Sequence, residues 1–584
     1  MADFQELYSS TCQFLLPPIV DSWVLTRGQQ YVLVDARLAE LDSARIALSI
    51  ACNSLVSALQ LAPEVLGLIF RQHIHNMVTE GDDGELHPTW YLFSHVCSRW
   101  RSVTLGNPSL WSHVSFRYPL WLKETLKQAK MVPVVVHISH HINISNSAVF
   151  VTVQHTLAET THRIRCLHME GLDIDGMEIF LHAITPVPAP ILDSLSLLAT
   201  AEGRLFNIIP KHLFGGITPR LRCVHVGSCS IPFGSSILMN LVHLHLDRST
   251  ISRASEHETS LSDLLAVFAT SPLLETLHLD SISPTHVDID PPRPVTFSRL
   301  EYIHVLDNAS SVSIILNNIR IPSFTTVSVD CTGGDFFSAA KAFGVATSDH
   351  PPKKCLSLHI ERSKSPRGEQ LCITSRAEKA ACARAIWSLV FLWRESEVNQ
   401  VELLVSYVVR SLDISALLRL DFHIASDVTG NMWIDLFTDA SQLEDVAVSG
   451  NPIRGLLNIL SLVGSSENDV LFPRLKHLII IDVVFDDTIK NIILEVVRER
   501  QTRGSAVSCL DIKSSKHFQS DWKLEFEMYV SSVYWDGHNQ SQLPTNDNRS
   551  DNVSSLDEYS DPEENISSAY GSEYASVDGW DYQD

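Results

Sequence analysis

Leu274-Glu275-Thr276-Leu277-His278-Leu279-Asp280 decides the fold, because the chain repeats its pattern. Leu274, Leu277 and Leu279 follow an apolar-x-x-apolar-x-apolar spacing, whose second half alternates as a half-buried strand does. The same spacing occurs earlier at Ile164-x-x-Leu167-x-Met169, Leu192-x-x-Leu195-x-Leu197, Leu221-x-x-Val224-x-Val226 and Leu241-x-x-Leu244-x-Leu246. It continues at Leu300-x-x-Ile303-x-Val305 and Phe324-x-x-Val327-x-Val329, with a weaker Leu356-x-Leu358-x-Ile360. Beyond lie Val398-x-x-Val401-x-Leu403, Leu417-x-x-Leu420-x-Phe422, Leu443-x-x-Val446-x-Val448, Leu475-x-x-Leu478-x-Ile480 and Val507-x-x-Leu510-x-Ile512. One such match means nothing in an apolar protein; a dozen in order predict a strand repeated along residues 162–535.

The gaps between these strands have room for helices. Leu261 to Phe268 has helical character, and Ser271-Pro272 stops it before the next strand. Met432 to Phe437 leads similarly into the strand at Leu443, and Ile489, Ile492, Ile493 and Val496 make one face of a helix over Thr488 to Arg500. The expected fold class is therefore α/β, an irregular strand/helix solenoid. The long interval from about Gly333 to Val398 suits an insertion, with an exposed loop at Lys353-Lys354 and Arg362 to Arg367.

Upstream, Leu61-Ala62-Pro63-Glu64-Val65-Leu66-Gly67-Leu68-Ile69-Phe70 reads as a helix start. Pro has no N–H to lose in a first turn, and Glu64 meets the positive end of the dipole. Val65, Leu66, Ile69 and Phe70 recur at helical spacing, and Val96, Trp100 and Val103 make a second apolar face. Short helices of this size bury little core, so a partner surface is expected to complete them. Before them, Val34, Leu38, Leu41, Arg45, Leu48, Cys52, Leu55 and Leu59 alternate four and three residues apart, a heptad register broken once by Arg45. Residues 33–60 are read as one helix, either folded onto the following helices or pairing two copies through residues 34–59. Residues 1–32, with Pro17-Pro18 and Gly28, read as irregular. In the connecting region 113–161, His113 to Phe116 and Val132 to Ile138 read as strands, with a helix over Leu120 to Lys130 between them.

The stretch 61–112 resembles an F-box, the module that docks a receptor onto the adaptor subunit of cullin–RING (SCF-type) ubiquitin ligases. Leu61, Pro63-Glu64, Leu66, Ile69-Phe70, Val96-Cys97, Trp100-Arg101 and Leu110-Trp111 fit that family's pattern. Ala62 departs from it where many members carry a second Pro, and a long insert from about Asn76 to Tyr91 departs from it too. The resemblance is to F-box-like proteins of fungal type, in many of which a helix precedes the motif. It implies that Leu61, Pro63, Leu66, Ile69, Phe70, Val96, Trp100 and Trp111 supply the adaptor-binding face or the packing that holds it. The repeats resemble the degenerate leucine-rich repeats found behind F-boxes, without the asparagine ladder of stricter families. Together the two resemblances imply a substrate receptor that holds a protein on its repeats. The alternative is a leucine-rich interaction scaffold outside any ligase.

Composition bounds these readings. A net charge of -24 argues against a nucleic-acid surface, which needs a basic stripe. The 11 cysteines, with no Cys-x-x-Cys pair, favour reduced thiols in cytosol or nucleus. No secretory signal is visible, and the uncharged run Ile46 to Pro63 is too polar for a membrane span. His137, His140 and His141 invite a zinc reading, but no carboxylate or cysteine stands at ligand spacing, and no metal or cofactor is expected. No phosphate-cradling loop, nucleophile elbow or His-Glu-x-x-His appears, so no catalytic residue and no enzyme is expected. The tail 536–584, rich in Ser, Asp, Asn and Glu, reads as disordered, with acidic phosphorylation contexts around Ser554 and Ser560 and with Tyr559, Tyr570, Tyr574, Trp580 and Tyr582 as candidate docking side chains.

Overall fold

The computed structural model describes residues 27–56, 60–79, 89–116, 119–139, 147–200, 209–248, 259–286, 293–347, 354–365, 368–377, 385–393, 401–424, 428–461 and 471–537. The chain is α/β, with a large, mostly parallel sheet and accompanying helices, an architecture compatible with an α/β solenoid. It divides into two compact units, the first running to Glu170 and the second beginning at Gly171. The acidic tail beyond residue 537, His140, His141 and Lys353 lie outside the described residues.

In the first unit, α1 (Arg27–Ser54), α2 (Pro63–Thr79), α3 (Phe93–Val96) and α4 (Ser98–Gly106) precede β1 (His113–Ser115). Then come α5 (Pro119–Gln128), β2 (Val134–Ser139), α6 (Ser147–Thr160) and β3 (Ile164–Leu172). The three strands pair in parallel, β1 with β2 and β2 with β3. In β2 the alternation is visible directly: Val134, Val136 and Ile138 are buried, and the intervening residues are half-buried. Two expectations are corrected here. Helix α1 starts at Arg27, inside the segment read as irregular over 1–32. Its apolar face is also not folded away, since Leu38, Leu41 and Leu55 are all exposed.

The second unit opens with α7 (Ile174–Ile184) and then stacks strands. These are β4 (Ser194–Ala199), β5 (Cys223–Gly227), β6 (His243–Asp247), β7 (Thr276–Asp280), β8 (Tyr302–Asp307) and β9 (Thr326–Thr332). Each pairs in parallel with the next, without a register shift. The first leucine of each motif sits just ahead of its strand and is buried, as at Leu192, Leu241, Leu274 and Leu300. A recurrent fork ties neighbours together. The Val242 carbonyl accepts from both Glu275 and Thr276 N–H, and the Glu275 carbonyl accepts from Glu301 and Tyr302. The same double acceptance repeats at Arg222, Leu418, Glu444 and Lys476.

The interval read as an insertion holds three strands of the same large sheet. The exposed loop expected at Arg362 to Arg367 is corrected, since Arg362 and Ser363 are half-buried within the strand Ser357–Ser365 and residues 366–367 are not described. After α8 (Leu261–Thr270), α9 (Ala309–Asn317) and α10 (Phe336–Thr347), the chain forms β10 (Ser357–Ser365), β11 (Gly368–Arg376) and β12 (Ala385–Trp393). These run antiparallel to one another, while β12 joins β9 and β10 joins β13 (Arg419–His423) in parallel. An antiparallel meander of three strands leaves its outer two pointing the same way, so the parallel array continues across it. The expected strand at Val398-x-x-Val401-x-Leu403 is corrected: residues 398–400 are not described, and Val401–Arg410 is helix α11. Val401, Leu404, Val405, Val408 and Val409 are its buried residues, a helical spacing that the six-residue window cut short.

The array then runs through β14 (Asp445–Ser449), β15 (His477–Ile481), β16 (Cys509–Lys513) and β17 (Ser532–Trp535), again parallel and in register. Between them come α12 (Gly430–Phe437), α13 (Pro452–Ser461), α14 (Asp487–Thr502) and α15 (Ser520–Glu527), each packing on the next in chain order. Trp433 of α12 is fully buried, with its ring 4.7 Å from Phe422. The α12–α13 approach is so close that a Cβ at Gly455 would lie 2.1 Å from the Val428 carbonyl oxygen, which leaves glycine as the fitting residue. Arg500 is buried too, donating from its guanidinium to the carbonyls of Leu471 (3.0 Å) and Phe472 (2.6 Å). Burial pushes its pKa down to about 10.

Because Leu478 is fully buried in the ladder, Leu478→Ala is expected to cost about 2–5 kcal/mol. Leu273→Ala, at an exposed position, should stay within about 0.5 kcal/mol of wild type. Urea titration of the two variants checks the contrast; equal effects would contradict the assigned face.

Candidate functional site

In the first unit the residues singled out between Leu61 and Trp111 form one small packed module. Leu66, Phe70 and Ile74 recur every fourth residue along α2 and are buried. The Phe70 ring stacks on Phe93 at 4.4 Å and tilts against Trp100 at 4.8 Å, which joins α2 to α3 and α4. The Trp111 indole N–H donates to the Thr104 carbonyl at 2.8 Å, and Arg99 donates to the Leu61 carbonyl at 2.6 Å. The Asn107 side chain accepts from the Ser109 hydroxyl at 2.7 Å and from the Ser109 N–H at 3.3 Å, which shapes the turn before Trp111. Leu66, Phe70 and Trp111 therefore hold the module together.

The remaining candidates look outward. Pro63, Ile69 and Val96 are exposed, and Leu61 and Trp100 are half-buried. On α2, Val65 (41% exposed), Leu68 (60%) and Ile69 (48%) share the face opposite Leu66 and Phe70. Val65 and Leu68 belong to that face although sequence reasoning did not name them as binding residues. Their signal was present, since 65, 68, 69 and 72 share one side of a helix with 3.6 residues per turn.

In the second unit the ladder register brings together groups that the sequence reading did not single out. His225, His245, His278 and His304 stand opposite one another on β5, β6, β7 and β8. Successive ring centroids lie 3.9, 4.8 and 5.8 Å apart. Two residues along each strand, Asp247 and Asp280 face one another, and Asp330 of β9 stands opposite Leu306. His304 Nε2 lies 3.3 Å from one Asp280 oxygen, and His245 Nε2 lies 3.7 Å from the other. All of these sit on the face that alternates with the buried leucines.

The charges follow from this crowding. Burial first, then the neighbouring His245 and His304, push His278 down to about 4. Burial alone takes His243 to about 4. For His304 burial acts downward, but Asp280 and Asp330 outweigh it and its pKa is raised. Burial works to raise Asp280, yet His245 and His304 hold it well below the usual carboxylate range. The strip is thus a run of imidazoles, stacked from His225 to His278 and tilted at His304, edged by carboxylates and able to donate and accept hydrogen bonds.

In the first unit His137 stacks on His168 at 4.7 Å, in register on β2 and β3. Burial, then His168 and His113, lower its pKa well below the ordinary imidazole range. Among the described residues no group of three His, Cys, Asp or Glu is placed to hold a metal ion. Burial raises the thiols of Cys331, Cys355 and Cys372 and takes Cys229 up to about 11, the opposite of what an activated nucleophile needs. Among the described residues no helix is long and apolar enough to cross a membrane. Comparison of the chain with protein-family models and with curated proteins finds no match.

Buried imidazoles, those of the strip and His243 on the same sheet among them, contribute to the acid response. His243 and His278 have folded values of about 4 against an ordinary 6.5, so they bind protons more readily in the unfolded chain. Their contribution is complete above pH 6.5 and declines as pH falls toward 4; that of His304, raised in the fold, runs the other way. Thermal midpoints are expected to fall between pH 6.5 and 4, and His278→Gln should flatten that decline. An unchanged slope in the variant would remove His278 from the account.

Proposed function

We propose that the protein is a substrate-recognition subunit of a cullin–RING ubiquitin ligase, docking the adaptor through the F-box-like module of residues 61–112. The repeat array, read as degenerate leucine-rich repeats, holds a protein substrate. The observation that carries this reading is the apolar face of α2. Val65, Leu68 and Ile69 lie in the open while Leu66, Phe70 and Ile74, one step round the same helix, are fully packed. A helix with apolar side chains on both sides needs a second surface to cover the outer one. The resemblance of the ordered residues from Leu61 to Trp111 to the F-box pattern supports the ligase adaptor as that surface.

In this reading the chain makes and breaks no bond. It raises the concentration of a substrate lysine at the conjugating enzyme, so its effect is one of proximity. Trp100 and Leu61 edge the docking face, Pro63 and Glu64 start its helix, and Val96 adds apolar surface from α3. Residues of the parallel sheet's polar face, with their imidazoles and carboxylates, are the surface offered to substrate.

The test separates docking from folding by mutating only exposed positions. Leu66 is unsuitable, since a charge there would break the module's core. Val65→Asp/Ile69→Asp should keep the far-ultraviolet circular dichroism of wild type and reduce capture of the ligase adaptor at least about tenfold, since two contacts near the centre of an interface carry energies of this order. Undiminished capture by the folded double variant would sink the assigned face. No capture by wild type would favour the leucine-rich scaffold outside any ligase.

A further inference from the structure

The structured length of α1 brings out a register that its own module does not use. The helix begins at Arg27, so Tyr31 joins the heptad as a further a position ahead of Leu38, Arg45 and Cys52. The d positions within the helix are Val34, Leu41 and Leu48, with Leu55 just past its end, which gives three complete a/d pairs along 28 residues of helix. Tyr31 is 72% exposed, Leu38 53%, Leu41 43% and Leu55 73%; Cys52 is exposed and Leu48 half-buried. Ile46 and Ile50, also exposed, fall at b and f, outside this seam.

We infer that α1 pairs, in parallel and in register, with α1 of a second copy of this chain. A strict a/d seam is the signature of helix pairing, because it keeps facing a partner only when two helices coil round each other. Charge selects the partner and the direction. In a parallel pair the g residue of one helix meets the e residue five positions on in the other; here g is Arg37 and e is Asp42. Two such pairs, Arg37 with Asp42 in each direction, flank the seam of a homodimer. An antiparallel pair would instead set e against e, bringing Asp35 of one helix toward Asp42 of the other.

The residues of the seam also select the number of strands. Leucine at two of the three d positions within the helix suits two helices, and one charged a residue works against larger cores where it could not reach water. Arg45 has that freedom in a dimer: its side chain is exposed and reaches to 3.6 Å from Asp42 of its own helix. Two Arg45 side chains meeting at one a layer pin the register, at a cost in affinity.

Full-length protein should behave in solution as a species of twice 65.2 kDa by light scattering. Leu41→Asp/Leu48→Asp should return it to a single-chain mass with its circular dichroism otherwise retained. Arg45→Leu should tighten association about tenfold, because a like-charge layer becomes an apolar one. Mild oxidation should link two chains through Cys52, which meets its own counterpart only in the parallel, in-register arrangement, and Cys52→Ser should abolish the link. A single-chain mass for wild type at tens of micromolar would overturn the proposal. So would a dimer that survives the Leu41/Leu48 substitutions. A dimer lost on those substitutions but never linked through Cys52 would overturn the parallel, in-register part. Adaptor capture by the Leu41/Leu48 variant tells the two proposals apart, since docking through Val65 and Ile69 does not require α1.

Discussion

The structure of the second unit depends on strict registry between neighbouring strands. One carbonyl ahead of most strands accepts two successive N–H groups of the next, and the ladder that follows carries no shift along β4 to β9 or β13 to β17. Registry puts equivalent residues side by side. Apolar residues then align with apolar residues on the packed face, and the intervening positions align on the other, histidine beside histidine from β5 to β8. The imidazole strip is a by-product of this geometry as much as of the histidines themselves. Without registry, His225, His245, His278 and His304 would be four unrelated side chains.

Much of this was legible in the residues. The motif located the strands because its first leucine is needed just before each strand and its last two within it, and burial at Leu274, Leu277 and Leu279 shows why. The failure at Val401 is equally instructive. Six residues sample less than two helical turns, so an apolar helix and a strand look alike at that scale; ten residues, from Val401 to Arg410, tell them apart. Strands β11 and β12 were missed because they lack the leading leucine, although Trp387, Leu389, Phe391 and Trp393 alternate plainly. Their antiparallel pairing belongs to tertiary context that no local window contains.

The candidate sites divide along the same line. Composition and spacing found the module at Leu61 to Trp111, yet could not say which apolar residue points where. Leu66 and Ile69 look equivalent in sequence, and only the packing of Phe70 on Phe93 and Trp100 makes one core and the other surface. The histidines carried a signal that went unread: His225, His245, His278 and His304 each fall between the last two apolar residues of their motif. Aligning the repeats by position, and not only by hydrophobicity, shows them at once. Helix α1 shows the converse, where a pattern visible in sequence acquired meaning once its face proved to be uncovered.

The forked bonds have a mechanical consequence. Each links only one strand to the next, and the helices likewise pack on their neighbours in chain order, so cohesion is shared locally and little of it spans the array. Under tension such an array yields in instalments from a loaded end, each released strand lengthening the chain before the next one bears force. The meander of β10, β11 and β12 interrupts that sequence, because β12 is hydrogen-bonded to β9 on one side and to β11 on the other while β10 holds β13. A segment that must lose several ladders together serves as a rip-stop, confining damage that starts at one end to that side of the seam.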